Sequence, residues 1–334
     1  MTPHSKFHLQ SIFFAVIVLF FAVISSNNQN PAEAVQIPRE KQLTATVVDA
    51  GVEIITPEAI AEFNKKQNEN KVETGAAFAS VALDNEPAPS TQTTAPNVVA
   101  AAFLAQDVSG EKLVSEYQSG YRWPIASITK LMTALIALEK IGPDQGIMMS
   151  QAAIETEGDS GFSVGEEYTV SDLIAAMMLI SSNDAAAALA DYIGTPRFFD
   201  LMQEKAYELK MTETSFIDAT GLSYLNQSTA RDIATLVGYI YSKYPEILEV
   251  SKQPTQKITE RASQLTRTLR SINSFAGSAG FEGGKTGFTD ESKGNLVSLF
   301  SYNDKIYTLI VFGTTDRFAE TKKLYQFLQL TLNH

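Results

Sequence analysis

The chain contains no cysteine. That excludes disulfides, thiolate catalysis and any zinc site built on sulfur. Its three histidines, His4, His8 and His334, stand at the extreme ends. A folded core between them therefore has no imidazole for general-base work or metal ligation, and a Ser-His-Asp hydrolase is excluded. Basic residues are also in deficit, 26 Lys and Arg against 38 Asp and Glu, for a net charge of −12. Nucleic acid, whose recognition needs a basic face, is excluded as a partner. Any anionic ligand has to be held by a local cationic group. What remains is 334 residues that are 44% hydrophobic and 19% charged, enough for one large globular domain or two smaller ones.

A polar start carrying Lys6 leads into "IFFAVIVLFFAVI", Ile12–Ile24. This apolar run suits a signal-peptide core better than a membrane span, which needs about 20 residues. Ala32-Glu33-Ala34 supplies an A-x-A cleavage signal. Residues 1–34 are thus expected to be a signal peptide, with an uncleaved signal anchor as the alternative, and in both cases the body of the chain is exported. Residues 35–96 read as a flexible spacer. It holds one short helix in "IITPEAIAEFNKKQNENK" and a Pro/Ser/Thr-rich tether, "NEPAPSTQTTAP".

The folded domain is expected over 97–334. "VVAAAFLAQDVSGEKLVSEY" predicts a hairpin about Ser109-Gly110. Helices are predicted at 127–140, 171–180, 184–193, 196–210 and 228–243. Strands return in "FEGGKTGF", "GNLVSLFSY" and "KIYTLIVFG", the last two joined at Asn303-Asp304, and a final helix covers 316–332. Strands at both ends with helices between them predict an α+β, three-layer fold, an antiparallel sheet flanked by helices.

Three short motifs carry candidate chemistry. In "YRWPIASITKLMTALIALEK", Ser127 and Lys130 stand at i and i+3, so a helix starting there brings hydroxyl and amine together. A lysine acts as base only where burial or a neighbouring cation depresses its pKa, and Lys130 sits among Ile128, Leu131 and Met132. The alternative is a helix cap and a solvated charge. The spacing alone does not decide, because Ser109 and Lys112 share it in a hairpin turn. Ser181-Ser182-Asn183 falls at a corner between helices, where it either caps the next helix or lines a cleft; Ser271-Ile272-Asn273 has the same form. Lys285-Thr286-Gly287, preceded by Gly283-Gly284, marks a strand that another chain can approach closely.

In this order, S-x-x-K, S-x-N and K-T-G form a variant of the active-site set of penicillin-binding proteins and class A β-lactamases. Together with "PIASITKLMTALIALE", "VGEEYTVSDLIAAMMLISSNDAAAALA", "DATGLSYLNQSTARDIATL" and "GGKTGFTDESKGNLVSLF", the chain resembles the D-alanyl-D-alanine carboxypeptidases, low-molecular-mass penicillin-binding proteins. The resemblance implies a β-lactamase/transpeptidase-like fold, with no cofactor and no metal. It also implies a periplasmic or cell-wall location, with membrane contact only through the N-terminal segment. Ser127 would be acylated by a stem peptide ending in D-Ala-D-Ala, and Lys130 would take its proton. Ser181 would relay a proton toward the leaving D-alanine, and Asn183 would contact the substrate amide or Lys130. Lys285 and Thr286 would bind the terminal carboxylate on a strand continued by Gly287 and Phe288. The backbone N–H groups of Ser127 and Phe288 would form the oxyanion hole. β-Lactams would acylate Ser127 and stall.

Phe288 departs from the histidine that some of these carboxypeptidases carry after K-T-G. The chain also ends at His334 without a further β-rich domain, as in the shorter D,D-endopeptidases that cut cross-links, so endopeptidase stands as the alternative activity. A β-lactamase needs a positioned carboxylate, for which Glu155, Glu157, Glu166 and Glu167 are the candidates. An S-x-x-K esterase would lack K-T-G, and a non-catalytic wall-binding protein is the remaining alternative.

Overall fold

The computed structural model describes residues 96–333 apart from Asp159, together with Thr56 and Glu58. The expected leader and nearly all of the expected spacer lie outside the described residues. In chain order the elements are β1 (Ala102–Asp107), β2 (Leu113–Tyr117), β3 (Trp123–Pro124), a 3₁₀ turn (Ala126–Thr129), α1 (Lys130–Lys140), β4 (Gly146–Met148), α2 (Gln151–Ile154), β5 (Glu167–Thr169), α3 (Val170–Leu179), α4 (Asn183–Ile193), α5 (Thr195–Glu208), β6 (Gln227–Ser228), α6 (Ala230–Lys243), α7 (Glu246–Lys252), β7 (Thr255–Thr259), β8 (Thr266–Arg270), β9 (Phe281–Thr289), β10 (Lys293–Tyr302), β11 (Lys305–Thr314) and α8 (Arg317–Leu332).

One antiparallel five-stranded sheet, ordered β2-β1-β11-β10-β9, organises the fold. Asn303 and Asp304 both adopt positive φ, 48° and 59°, which closes the tight β10–β11 turn with a twist matching the strands. β11 is buried almost throughout because both faces of the sheet are covered. Its side chains alternate between two cores. Ile310 and Phe312 join the large helical core that includes α1 and α3, whereas Leu309 and Val311 join a smaller core with Leu324 and Leu328 of α8. The expected α+β, three-layer architecture is what the chain adopts: helices, sheet, helix.

α1 and α3 are buried around nearly their whole circumference, which is why neither reads as amphipathic. Several predicted boundaries move. The helix expected at 127–140 begins at Lys130, after the 3₁₀ turn; that at 228–243 begins at Ala230, with Thr229 as its cap. The two-stranded β3–β6, β4–β5 and β7–β8 pairings escape the sequence pattern because most of these strands are too short, or too polar, to show a period.

Candidate active site

β3 leads into the turn that carries Ser127. Trp123 is fully buried and its Nε1 donates to Ser292 O at 2.8 Å, while Asn295 Nδ2 donates to Pro124 O at 2.9 Å. Ala126 then takes φ 49°, a left-handed conformation costly for alanine, and the chain turns sharply into the 3₁₀ segment. Ser127 caps nothing: the side chains flanking this helix start make no capping hydrogen bond. Its Oγ instead faces Lys130 Nζ at 3.0 Å.

Lys130 opens α1 with its side chain fully buried. Nζ also donates to Asn183 Oδ1 at 2.7 Å and to Thr220 O at 2.6 Å. Burial pushes its pKa down to about 7, opposed by the charge of Asp218. The partners then decide the direction of proton transfer. A neutral amine has two N–H bonds and one lone pair, and Asn183 Oδ1 and Thr220 O can only accept. The lone pair is left for the Ser127 hydroxyl, the geometry of a general base. Asn183 is held in this orientation because its Nδ2 donates to Glu157 O at 2.6 Å.

The two serines of "SSN" divide their work. Ser182 caps α4 through the N–H of Ala185, at 3.1 Å, so the capping alternative holds for Ser182 and not for Ser181. Ser181 adopts φ 59°, and Ser182 N closes back on Ala176 O at 3.2 Å, a helix ending that normally favours glycine. That turn aims Ser181 Oγ at Lys285 Nζ, 2.9 Å away.

Lys285 lies on β9, the free edge of the sheet, and is buried with Thr286. Its pKa is held well below the ordinary lysine value, first by burial and then by the charges of Lys130 and Arg317. Gly287 lets the strand press on the nucleophile turn, because a Cβ there would stand 2.8 Å from Ile125 O. Phe288, next along, is 59% exposed. Arg317, at the start of α8, donates from Nη1 to Gly287 O at 2.9 Å. Among the described residues Lys130, Lys285 and Arg317 form no ion pair with a carboxylate. The site therefore presents a serine hydroxyl bonded to a buried amine beside an edge strand, with Lys285 and the Arg317 guanidinium close by and neither paired with a carboxylate among the described residues, suited to acylating a backbone carbonyl near a free carboxylate.

The structure thus joins Ser127, Lys130 and Asn183 in one hydrogen-bonded group and Ser181 to Lys285 in another, and it lays the strand of Lys285, Thr286, Gly287 and Phe288 against the turn that carries Ser127. Ser109 stays in its exposed turn, bonded to Asp107, and Ser271 accepts from Asn273 N in a local turn. None of the four candidate glutamates reaches the serines. Glu155 Oε1 accepts from Gln151, Glu166 Oε2 from Ser163 N and Tyr168, and Glu167 pairs with Arg261, while Glu157 contributes only its carbonyl. No group of three or more His, Cys, Asp or Glu able to hold a metal occurs among the described residues.

Sequence reasoning missed Arg317 and the 218–223 loop. Asp218 Oδ1 accepts from Thr220 N, Thr220 Oγ1 and Gly221 N at 2.7, 2.8 and 2.6 Å, and its Oδ2 accepts from Ser223 N at 3.0 Å. This fold presents Thr220 O to Lys130. Gly221, at φ 84°, packs so closely that a Cβ would stand 1.9 Å from Ala126 O. The D-x-T-G pattern was the available signal, since Asp bonding to backbone two and three residues on marks such a turn.

The family profile of the D-alanyl-D-alanine carboxypeptidases matches residues 89–316. A D-alanyl-D-alanine endopeptidase of Pseudomonas aeruginosa is 32% identical over 216 residues, covering 62% of this chain and 69% of that protein. The D-alanyl-D-alanine carboxypeptidase DacF of Bacillus subtilis is 29% identical over 265 residues, covering 75% of this chain and 67% of that protein. The ampicillin-bound structure of penicillin-binding protein D2 from Listeria monocytogenes is 30% identical and superposes with a TM-score of 0.59, over 69% of this chain and 98% of that one.

Proposed function

The chain belongs to the D-alanyl-D-alanine carboxypeptidase family, and from that premise we propose that it is a serine-type hydrolase removing the terminal D-alanine of peptidoglycan stem peptides through an acyl-enzyme on Ser127. The observation that carries the reading is the Lys130 amine, buried and hydrogen-bonded so that its lone pair is left for Ser127 Oγ. Lys130 takes the serine proton as Oγ attacks the carbonyl of the penultimate D-alanine. The carbonyl oxygen, now negative, is held by the backbone N–H groups of Ser127 and Phe288. Ser181, bonded to Lys285, passes a proton to the departing D-alanine nitrogen as the peptide bond breaks and recovers one from the Lys130 ammonium, which returns to the neutral amine. Water, deprotonated by the same base, then cleaves the ester and restores the serine. Lys285, Thr286 and Arg317 hold the carboxylate of the leaving residue. β-Lactams, which mimic D-Ala-D-Ala, acylate the same oxygen.

The activity is extracytoplasmic, because peptidoglycan is. We assign export to residues 1–34, as a cleaved leader or an anchor, reach to the spacer at 35–96 and catalysis to 97–334; N-terminal sequencing of the mature protein tests the first. A second reading, D,D-endopeptidase, is favoured by the name of the Pseudomonas relative. The test incubates the protein with labelled penicillin, a D-Ala-D-Ala-terminated peptide and a cross-linked muropeptide. Ser127→Ala is expected to abolish labelling and D-alanine release, and Ser109→Ala to change neither. Labelling that survives Ser127→Ala would sink the assignment, and the muropeptide separates the two activities. Rapid turnover of a chromogenic cephalosporin would mean a β-lactamase instead.

A further inference from the structure

We infer that Asn226 is a positioning residue for acyl transfer: its side-chain amide clamps the turn carrying Ser127 and Lys130 to the loop that presents the Thr220 carbonyl. The inference rests on Ser127 and Lys130 being the acylating pair.

Asn226 is fully buried and far from the reacting atoms in sequence, yet every polar group it owns is engaged on the two segments that make the base. Its Oδ1 accepts from Ile217 N at 2.8 Å and from Asp218 N at 3.3 Å. Its Nδ2 donates to Asp218 O at 2.9 Å and to Thr129 Oγ1 at 3.1 Å. Its own carbonyl accepts from Ile125 N at 3.0 Å. The amide orientation is forced, since two backbone N–H groups face one end and a carbonyl faces the other. Thr129 immediately precedes Lys130, and Asp218 lies two residues before Thr220. One rigid amide thus sets the separation between Lys130 Nζ and Thr220 O, the acceptor that leaves the amine lone pair for Ser127. Lys285, Thr286 and Arg317, which face the substrate carboxylate, make no hydrogen bond to Asn226.

Loosening the clamp should therefore slow acylation without weakening substrate binding. It should also shift the pH at which Lys130 becomes neutral. The charged groups bearing on Lys130 are Asp218 from the clamped loop and Lys285 from β9, with Arg317 of α8 acting on Lys285. Asp184 of α4 faces the neighbouring loop through Ser160 N. None of these is altered chemically by substituting Asn226 or Thr129. Losing the Thr220 acceptor removes a hydrogen bond that is stronger from the charged ammonium than from the neutral amine, so the acid limb moves to lower pH.

The experiment measures penicillin acylation and peptide hydrolysis against pH for Asn226→Ala and Thr129→Val. Expected is a roughly 10- to 100-fold fall in acylation rate and kcat for Asn226→Ala. KM should stay within about threefold, and the acid limb should move down by up to about one pH unit, the size of one hydrogen bond to a charged group. Thr129→Val, which removes one of the clamp's bonds, should shift the same quantities less. Folding is checked by thermal melting; if Asn226→Ala does not fold, Thr129→Val decides on the same criteria. An unchanged rate and limb would overturn the inference, and so would a loss of rate in which KM rises and the limb stays fixed, because that is what general structural damage gives. Wild-type labelling that Ser127→Ala abolishes tests the underlying pair separately.

Discussion

The pH dependence of acylation tests the chemistry most directly. Lys130 is fully buried and its pKa falls from 10.5 to about 7, burial being the main cause. If its neutral form takes the Ser127 proton, the acylation rate follows the neutral fraction, with half its plateau near pH 7. It should drop to roughly a tenth of plateau at pH 6 and roughly a hundredth at pH 5. An ordinary lysine would be neutral in only about one molecule in 3,000 at pH 7, so burial raises the population of active base about a thousandfold. The same burial weakens the fold. Because the folded pKa lies below the unfolded one, the unfolded chain binds the extra proton between pH 7 and 10.5. Stability therefore rises with pH across that window, and the unfavourable contribution, on the order of 5 kcal/mol, is present in full below it. The assay is stopped-flow acylation by a fluorescent penicillin from pH 5 to 9, with thermal melts in the same buffers. A rate flat from pH 5 to 8, or a midpoint above pH 9, would refute Lys130 as a neutral base.

Gly221→Ala places a methyl where Ala126 O already stands and demands φ 84° of an alanine. It should cost at least about 2 kcal/mol in a denaturant titration and displace Ser127 enough to slow penicillin labelling at least tenfold; wild-type behaviour in both would show that the loop yields freely. Arg317→Gln removes a guanidinium that no carboxylate pairs among the described residues, and KM for carboxylate-terminated peptides should rise about tenfold while amide-terminated analogues are unaffected. An equal effect on both peptides would mean that Arg317 only supports Gly287 O. Because Lys285 and Arg317 have no carboxylate partner among the described residues, an acyl-D-Ala-D-Ala peptide should raise the melting temperature of Ser127→Ala, and its C-terminal amide should not. Equal shifts would contradict a carboxylate site at Lys285.

Much of the site was legible because elimination and pattern agreed. With no cysteine and no internal histidine, a serine in this chain needs another base, and Lys130 sits in a run apolar enough to bury it. The strand runs at both ends of the domain, the helices between them and the turn at Asn303-Asp304 likewise disclosed an antiparallel sheet flanked by helices. The misses share a physical cause. Thr220 contributes a backbone carbonyl, which any residue could supply, so only the fold identifies it. Arg317 lies at a helix start far along the chain from K-T-G, and it reaches Gly287 O only because β9, β10 and β11 fold back antiparallel. Ser181 and Ser182 cannot be told apart by type, since both are good caps; the left-handed turn at Ser181 decides which one faces Lys285.

This division shows where the specificity of the three motifs resides. Ser109 and Lys112 repeat the S-x-x-K spacing, yet their turn is exposed and Ser109 bonds Asp107. What distinguishes Ser127 and Lys130 is supplied by segments that carry no reactive side chain: a buried strand that brings in the turn, a strained Ala126 that redirects it, and a loop folded on Asp218 that gives Lys130 its acceptor. The reacting groups can be named from the sequence because their chemistry is rare. A lysine, though, becomes a base only when its lone pair has one place to go, and that condition is met by neighbours whose own chemistry is ordinary.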